Sequence, residues 1–409
     1  MESEIAQVVL FVMASLLVAL IAEPLARWVR LPFSAVLVAL GFLGAQIAVL
    51  GGYDSVPQSH QFHDLVFFVF LPILIFESAF LIDGKLLLKN LAPILILAIP
   101  IMLFSTLITG VLVYLGIDHP SGFPWIAAMI TGALLSATDP VAVVALMKQG
   151  GTPKRLATLI EGESLFNDAT AIVVFSLALG LALDPEQNID MGSAVIHFCL
   201  VFFGGLVIGL LISFAAVLMQ RAVENPIVHG VISLIASYFA FLIAEKTLHV
   251  SGVMAVLALG LVMGRAHRAD YNEDNFVERL WAFNAYIANA LVFLLMGYSV
   301  SLVMFQERWL AILIGIAAVL IARLIGIFVL VPVTTLFTPE APIDLRYRTV
   351  LFWGGLRGAV TLALALSIPT ELDYWWTIQS IAFGVVVFTL FIQAPTMNLL
   401  LTRVGLRER

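Results

Sequence analysis

Residues 91–117, LAPILILAIPIMLFSTLITGVLVYLGI, run from end to end without a charged side chain. A helix crossing the hydrocarbon core of a bilayer needs roughly 20 mostly apolar residues in a row. A helix also satisfies its own backbone hydrogen bonds, which lipid cannot do. Reading outward, residues 8–22 and 312–322 are equally free of charge, and the charges gather in short clusters between such runs. Of the 409 residues 62% are apolar and 11% charged, where a soluble domain carries roughly a quarter charged. The chain therefore reads as an all-α polytopic membrane protein, and an ordinary soluble enzyme is excluded. No basic patch points to nucleic acid. The lone cysteine, Cys199, excludes an internal disulfide framework and, in its apolar run, is expected to be a small buried hydrophobe.

Hydropathy predicts about thirteen transmembrane helices, at 5–25, 33–50, 63–82, 90–117, 123–148, 156–183, 193–220, 227–246, 250–266, 279–303, 309–336, 349–369 and 375–402. Cytoplasmic loops of membrane proteins hold the lysines and arginines. With thirteen spans, all 20 basic residues except Lys246, Arg308, Arg323 and Arg357 fall on one set of alternate loops and the C-terminus. The expected orientation is N-terminus outside and C-terminus inside. The acidic start, Met1-Glu2-Ser3-Glu4, is unlike a cleavable signal peptide, and no soluble regulatory domain is expected after the last run. The chain is read as one membrane domain.

Charged side chains inside spans are the informative remainder, because each costs at least ~2.5–3.5 kcal/mol at mid-membrane even on the mildest scale. Glu23 and Glu224 stand beside Arg27 and Arg221 near helix ends and read as interfacial ion pairs. Glu77, inside span 3, is either a buried hydrogen-bonding group or part of an ion path. Asp139 precedes Pro140 near the middle of span 5, and proline removes a backbone donor and clashes with the preceding turn. The helix is expected to break there, leaving a carboxylate beside freed carbonyls, which is a cation site. Span 6 carries Glu161-Gly162-Glu163-Ser164-Leu165-Phe166-Asn167-Asp168. At about 100° per residue Glu161 and Ser164 share a face with Asp168, whereas Glu163 points roughly 140° away. Arg323, flanked by apolar residues, requires a buried acid, for which Glu163 is the candidate. Arg357 lies in Gly354-Gly355-Leu356-Arg357-Gly358, whose glycines predict a second break. Broken spans 5 and 12 are seven helices apart, an odd offset. That predicts two inverted six-helix repeats, spans 1–6 and 8–13 with span 7 between them, and such paired breaks point to a midplane site in secondary transporters.

Ala137-Thr138-Asp139-Pro140-Val141-Ala142-Val143, the run 161–168 and Gly354-Gly355-Leu356-Arg357-Gly358-Ala359-Val360 together resemble the NhaP/NHE branch of the monovalent cation/proton antiporters. The Leu71 to Glu77 run and Arg323 share that likeness. The resemblance implies an NhaA-like fold with discontinuous crossing helices, a homodimer, and a scaffold holding a core that moves like an elevator; we assign that core to residues 63–183 and 309–402. It implies exchange of Na+ or Li+ for H+ without a cofactor at the plasma membrane. Asp168 would be the main carrier, with Asp139 and the Thr138 carbonyl completing the site and Ser164 and Glu163 as ligands or supports. Asn167 beside Asp168 resembles the electroneutral members. The family's buried Glu–Arg pair suggests Glu163 with Arg323, and Arg357 remains a rival partner. A K+/H+ antiporter uses the same ligand types, and an uncoupled cation channel would also explain intramembrane carboxylates.

Overall fold

The computed structural model describes residues 2–50, 64–117, 122–149, 151–184, 191–270, 276–334 and 342–406, all helical or turn among them. Three of the expected outer loops, near 51–63, 118–122 and 184–192, lie largely outside these residues, as do Arg407 and Arg409. The helices are α1 (Glu2–Val29), α2 (Phe33–Leu50), α3 (Val66–Leu81), α4 (Gly84–Lys89), α5 (Leu91–Gly116), α6 (Trp125–Ser136), α7 (Val141–Gln149), α8 (Lys154–Leu183) and α9 (Met191–Arg221). They continue as α10 (Pro226–Thr247), α11 (Gly252–Asp270), α12 (Phe276–Ser299), α13 (Leu302–Glu307), α14 (Trp309–Val333), α15 (Leu345–Trp353), α16 (Ala359–Leu366) and α17 (Trp375–Arg403). By length and composition ten segments among the described residues suffice to cross a membrane. α2 and α3 are shorter apolar helices, and α15–α16 is a broken pair.

Local sequence explains where helices start. Asp83 accepts the amides of Lys85 and Leu86 at the head of α4, Asn225 accepts that of Ile227 just before Pro226 opens α10, and Asp344 accepts that of Tyr347 at the head of α15. Each supplies the side-chain acceptor that exposed helix N-termini lack. Glu23 pairs with Arg27 one turn on at 2.6 Å, as expected of an interfacial pair. Single π-helical turns interrupt α3, α5, α10, α14 and α17, a feature hydropathy does not reveal.

The helices pack in two groups. α2 lies along α12, with Gly41 against the Leu294 carbonyl and Gly297 against that of Val38, so that a side chain at either glycine would overlap backbone. α3 packs on α11 and α12, where Phe76 meets Trp281 at 4.1 Å between ring centres, and the Trp281 indole donates to Ser233 of α10 at 2.9 Å. Gly205 and Gly209 bring α9 onto the backbone of Ser251 and Ala255, while Gly260 and Gly264 bring α11 onto α3. These small residues serve contacts within the chain. The second group sets α5 against α6 and α14, α14 against α17, and α8 against α6. α3, whose span was expected in the core group, thus packs with α10–α12: the Phe76 to Trp281 contact decides its place, and hydropathy carries no such information.

Cys199 is exposed on α9, contrary to the expectation of burial, since most of that helix turns an apolar side outward. His197 is likewise exposed, whereas His229 is buried with Nε2 against the Gln220 and Val223 carbonyls.

Candidate functional site

Both expected breaks occur, and they cross. α6 ends at Ser136 and α7 begins at Val141; α15 ends at Trp353 and α16 begins at Ala359. The Asp139 amide donates to the Leu356 carbonyl at 2.9 Å, joining one break to the other. The crossing therefore brings two helix C-termini and two helix N-termini together inside the protein. Each C-terminus carries partial negative charge and unfilled carbonyls, and each N-terminus partial positive charge and unfilled amides.

Side chains complement all four ends. Arg357 Nε donates to the Leu135 carbonyl in the last turn of α6, and its Nη1 donates to the Gly355 carbonyl. Asn167 Nδ2 donates to the Ser136 carbonyl at 3.0 Å and to Thr138 Oγ1 at 3.2 Å, and the Ser164 hydroxyl donates to the Thr138 carbonyl. Arg323 serves the other C-terminus, donating from Nε at 3.3 Å and Nη2 at 3.0 Å to the Leu351 carbonyl. The carboxylate of Asp139 faces the two N-termini: it accepts the amide of Val141, first residue of α7, at 3.0 Å, and sits against Gly358, just ahead of α16. Gly358 makes this approach possible, because a Cβ there would overlap the Asp139 carboxylate.

This differs from the arrangement expected of a carboxylate among free carbonyls. The carbonyls of Leu135, Ser136 and Thr138 each receive a donor and keep a second lone pair, and a further unfilled acceptor lies close by. Asp168 Oδ1 is enclosed and accepts no hydrogen bond among the described residues; the same holds for Asn167 Oδ1 and Thr361 Oγ1. Asp168 lines a cavity of about 50 Å³ together with Asp139, Ser164, Thr138, Pro140, Thr361, Ser78 and Asn289. A single water needs ~10–15 Å³ on this measure, so the space holds a few waters or a partly hydrated ion. An unpaired buried acceptor of this kind calls for an explanation, and a carboxylate with hydroxyl and amide oxygens around it suits a hard monovalent cation or a proton.

Glu163 lies behind this cavity. Both its oxygens accept from Arg323, Nη1 to Oε1 and Nη2 to Oε2 at 3.0 Å, and the pair is 2% and 7% exposed. Arg357, 3% exposed, is buried at the crossing with its donors on backbone carbonyls. The structure thus brings Glu163 to Arg323; Glu163 does not line the Asp168 cavity but a small adjoining space shared with Thr138, Asp139 and Ser164. Glu77 and Glu161 do not line the cavity either; Ser78, next to Glu77, does. Two contributors have little sequence signal. Thr389, in the π turn of α17, exchanges hydrogen bonds with the Arg357 backbone at 3.3 and 3.2 Å. Asn289 of α12 stands out in sequence only as an amide within a run of apolar residues.

A second, wider opening of about 560 Å³ leads away from the cavity, lined by Glu23, Arg27, Arg30, Ser34, Tyr286 and Asn398 among others. Val141 and Asn289 line both spaces. The carboxylates are thereby approached from the ends of α1, α7 and α17, the arginine-rich face.

A helical membrane protein whose two broken helices cross with carboxylates at their ends has the architecture of a secondary ion transporter. Residues 13–403 match the family described as sodium/hydrogen exchanger, transmembrane. The chain belongs to this family. It is 35% identical over 408 residues to the Na(+)/H(+) antiporter ApNhaP of Aphanothece halophytica, covering 99% of this chain and 76% of that protein. It is 34% identical over 406 residues to the low-affinity Na(+)/H(+) antiporter NhaS1 of Synechocystis, covering 97% and 74%. The solved structure of the sodium proton antiporter MjNhaP1 from Methanocaldococcus jannaschii at pH 8 superposes with a TM-score of 0.76 over 96% of this chain and 99% of that one, at 21% identity. That likeness establishes a shared fold.

Proposed function

We propose that the chain is a transporter that exchanges Na+ or Li+ for H+, one for one, with Asp168 as the group for which the two ions compete. The observation that carries this reading is the unpartnered Asp168 Oδ1 in a cavity also lined by Asp139, Ser164 and Thr138. Competition for one carboxylate is sufficient for exchange when the loaded forms reorient and the empty form does not. An empty Asp168 would carry an uncompensated charge through a dry barrier, which costs several kcal/mol; a proton or a cation removes that penalty equally.

The charge inventory favours a single exchanged charge. Arg323 and Arg357 stand against Glu163, Asp139 and Asp168, and Asn167 is neutral. With the three acids ionised these five groups at the crossing carry one net negative charge, which one monovalent ion cancels. Glu163 is held by Arg323 and acts as a support. Asp139, facing two helix N-termini, serves as the second ligand.

Reorientation is assigned to the group formed by α5–α8 and α14–α17, moving against a scaffold of α1–α3 and α10–α12, with α9 connecting them. In this partition residues 63–81 belong to the scaffold. The fold is read as two inverted repeats in thirteen crossings of the plasma membrane, N-terminus outside and C-terminus cytoplasmic, working as a homodimer without a cofactor. The vestibule on the arginine-rich face would then be the cytoplasmic entrance.

The test is dequenching of a pH-sensitive dye in everted vesicles, titrating Na+, Li+ and K+, followed by the same exchange in proteoliposomes under an imposed potassium diffusion potential. Proton movement driven by Na+ and Li+ and unmoved by the potential is expected. Response to K+ alone would reassign the substrate, Na+ flux without proton movement would make the protein a channel, and a strong dependence on the potential would refute one-for-one exchange.

A further inference from the structure

The ligands proposed for the cation come from α6–α8, the moving group. Two polar side chains that meet the same cavity do not, Ser78 of α3, whose hydroxyl donates to Glu77 at 3.4 Å, and Asn289 of α12, and of the two Asn289 alone also lines the vestibule. Asn289 projects from α12, which is locked to α2 by the glycine contacts at Gly41 and Gly297. It lines both the carboxylate cavity and the vestibule. Its amide makes no hydrogen bond to another described residue, so its oxygen is available to whatever occupies the cavity. Tyr286 and Phe293, one helical turn to either side on the same face of α12, line the vestibule. An ion entering from the arginine-rich face therefore passes along this face and reaches Asn289 where the two spaces meet.

We infer that Asn289 is a scaffold-borne ligand: its amide oxygen joins the coordination shell of the cation while the site is open to the arginine-rich face, and is left behind when α5–α8 and α14–α17 reorient. This inference rests on the exchange reading above and adds to it a one-sided contribution to affinity. Oxygens of Asp139, Asp168, Ser164 and Thr138 travel with the ion and serve both orientations equally. Asn289 serves one of them. A neutral oxygen ligand fixed to the scaffold favours the loaded form facing the vestibule, where it replaces part of the hydration shell that the small cavity strips away.

The test compares half-saturating Na+ concentrations in everted and right-side-out vesicles carrying the full chain, for wild type, Asn289→Ala and Asn289→Asp. Asn289→Ala should raise the value at the arginine-rich face by roughly three- to tenfold, the loss of one hydrogen-bond-strength contact, and so shift the ratio between the two faces by that factor. Asn289→Asp, which puts a charged oxygen in the same place, should shift the ratio the other way. If neither variant moves the ratio, or both faces change together, Asn289 is not a one-sided ligand. Should Asn289→Ala fail to reach the membrane, the Asp variant decides alone by the same ratio. Exchange surviving in Asp168→Asn would instead overturn the exchange reading itself, independently of anything measured at Asn289.

Discussion

Removing one partner of the Glu163–Arg323 pair should be far more damaging than removing both. The pair is buried, the guanidinium grips both carboxylate oxygens, and Arg323 also fills the Leu351 carbonyl at the end of α15. Glu163→Gln leaves Arg323 as a buried cation not far from Arg357, and breaking a buried pair in this way costs about 3–5 kcal/mol. Arg323→Met leaves a buried anion and also strips the Leu351 carbonyl of both donors, which adds about 1–3 kcal/mol. The double variant Glu163→Gln/Arg323→Met leaves no net charge and one orphaned carbonyl, which the glutamine amide is placed to approach. The expected order of apparent melting temperature in detergent is therefore wild type, double variant, Glu163→Gln, Arg323→Met. Coupling between the two positions is measured by completing the cycle. Losses that simply add would show that the two side chains act independently and would refute the reasoning. Exchange provides a second readout: with Glu163 outside the carboxylate cavity, the folded double variant should retain measurable Na+/H+ exchange, whereas loss of exchange with retained stability would make Glu163 a direct ligand.

Three further outcomes follow from the crossing. Gly358→Ala puts a methyl group into the Asp139 carboxylate and pushes it away from the ion; losing one charged ligand contact worth about 1.5–3 kcal/mol should raise half-saturating Na+ roughly ten- to a hundredfold. Unchanged affinity would mean that Asp139 does not bind the ion. Asp168→Asn should abolish exchange without lowering the melting temperature, because Oδ1 has no hydrogen bond to lose; the same fluorescence assay and a thermal scan decide it. Asn167→Asp should not create voltage-dependent exchange. The Thr138 hydroxyl can turn to donate to the new carboxylate but the Ser136 carbonyl cannot, so the expected result is a protein destabilised by about 1–3 kcal/mol, and normal stability with potential-driven exchange would contradict it.

How far the sequence carried depended on whether a residue violates the local rule of its surroundings. Asp139 before Pro140, the acids within 161–168, Arg323 among aliphatics and the Gly354 to Gly358 run each break the apolar pattern, and all of these except Glu161 lie at or beside the crossing. The 140° angle between Glu163 and Asp168 already placed them on different faces of one helix, and the structure pairs Glu163 with Arg323. What could not be read is which carbonyls the donors reach. Arg357 finds Leu135 across 222 positions of sequence and Arg323 finds Leu351 across 28, and no periodicity encodes either. Asn289 escaped because a single amide in an apolar run is ordinary. The side of the bundle on which α3 packs escaped because all of α3, α11 and α12 are apolar, and shape alone chooses between partners.

The same bonds that hide from sequence constrain how the site can change its exposure. To open at the break itself, α6–α7 would have to part from α15–α16. That separation removes the Asp139 amide from the Leu356 carbonyl and Arg357 from the Leu135 carbonyl. Each orphaned buried group costs about 1–3 kcal/mol, and more where a charge is involved, so parting the crossing would cost on the order of 5 kcal/mol or more before any ion moved. Sliding the crossing as a unit along α12 breaks none of these bonds. Asn289 then changes neighbours while Asp139 and Asp168 keep theirs, which is why a variant on the scaffold side is the sharper probe of how the two faces alternate.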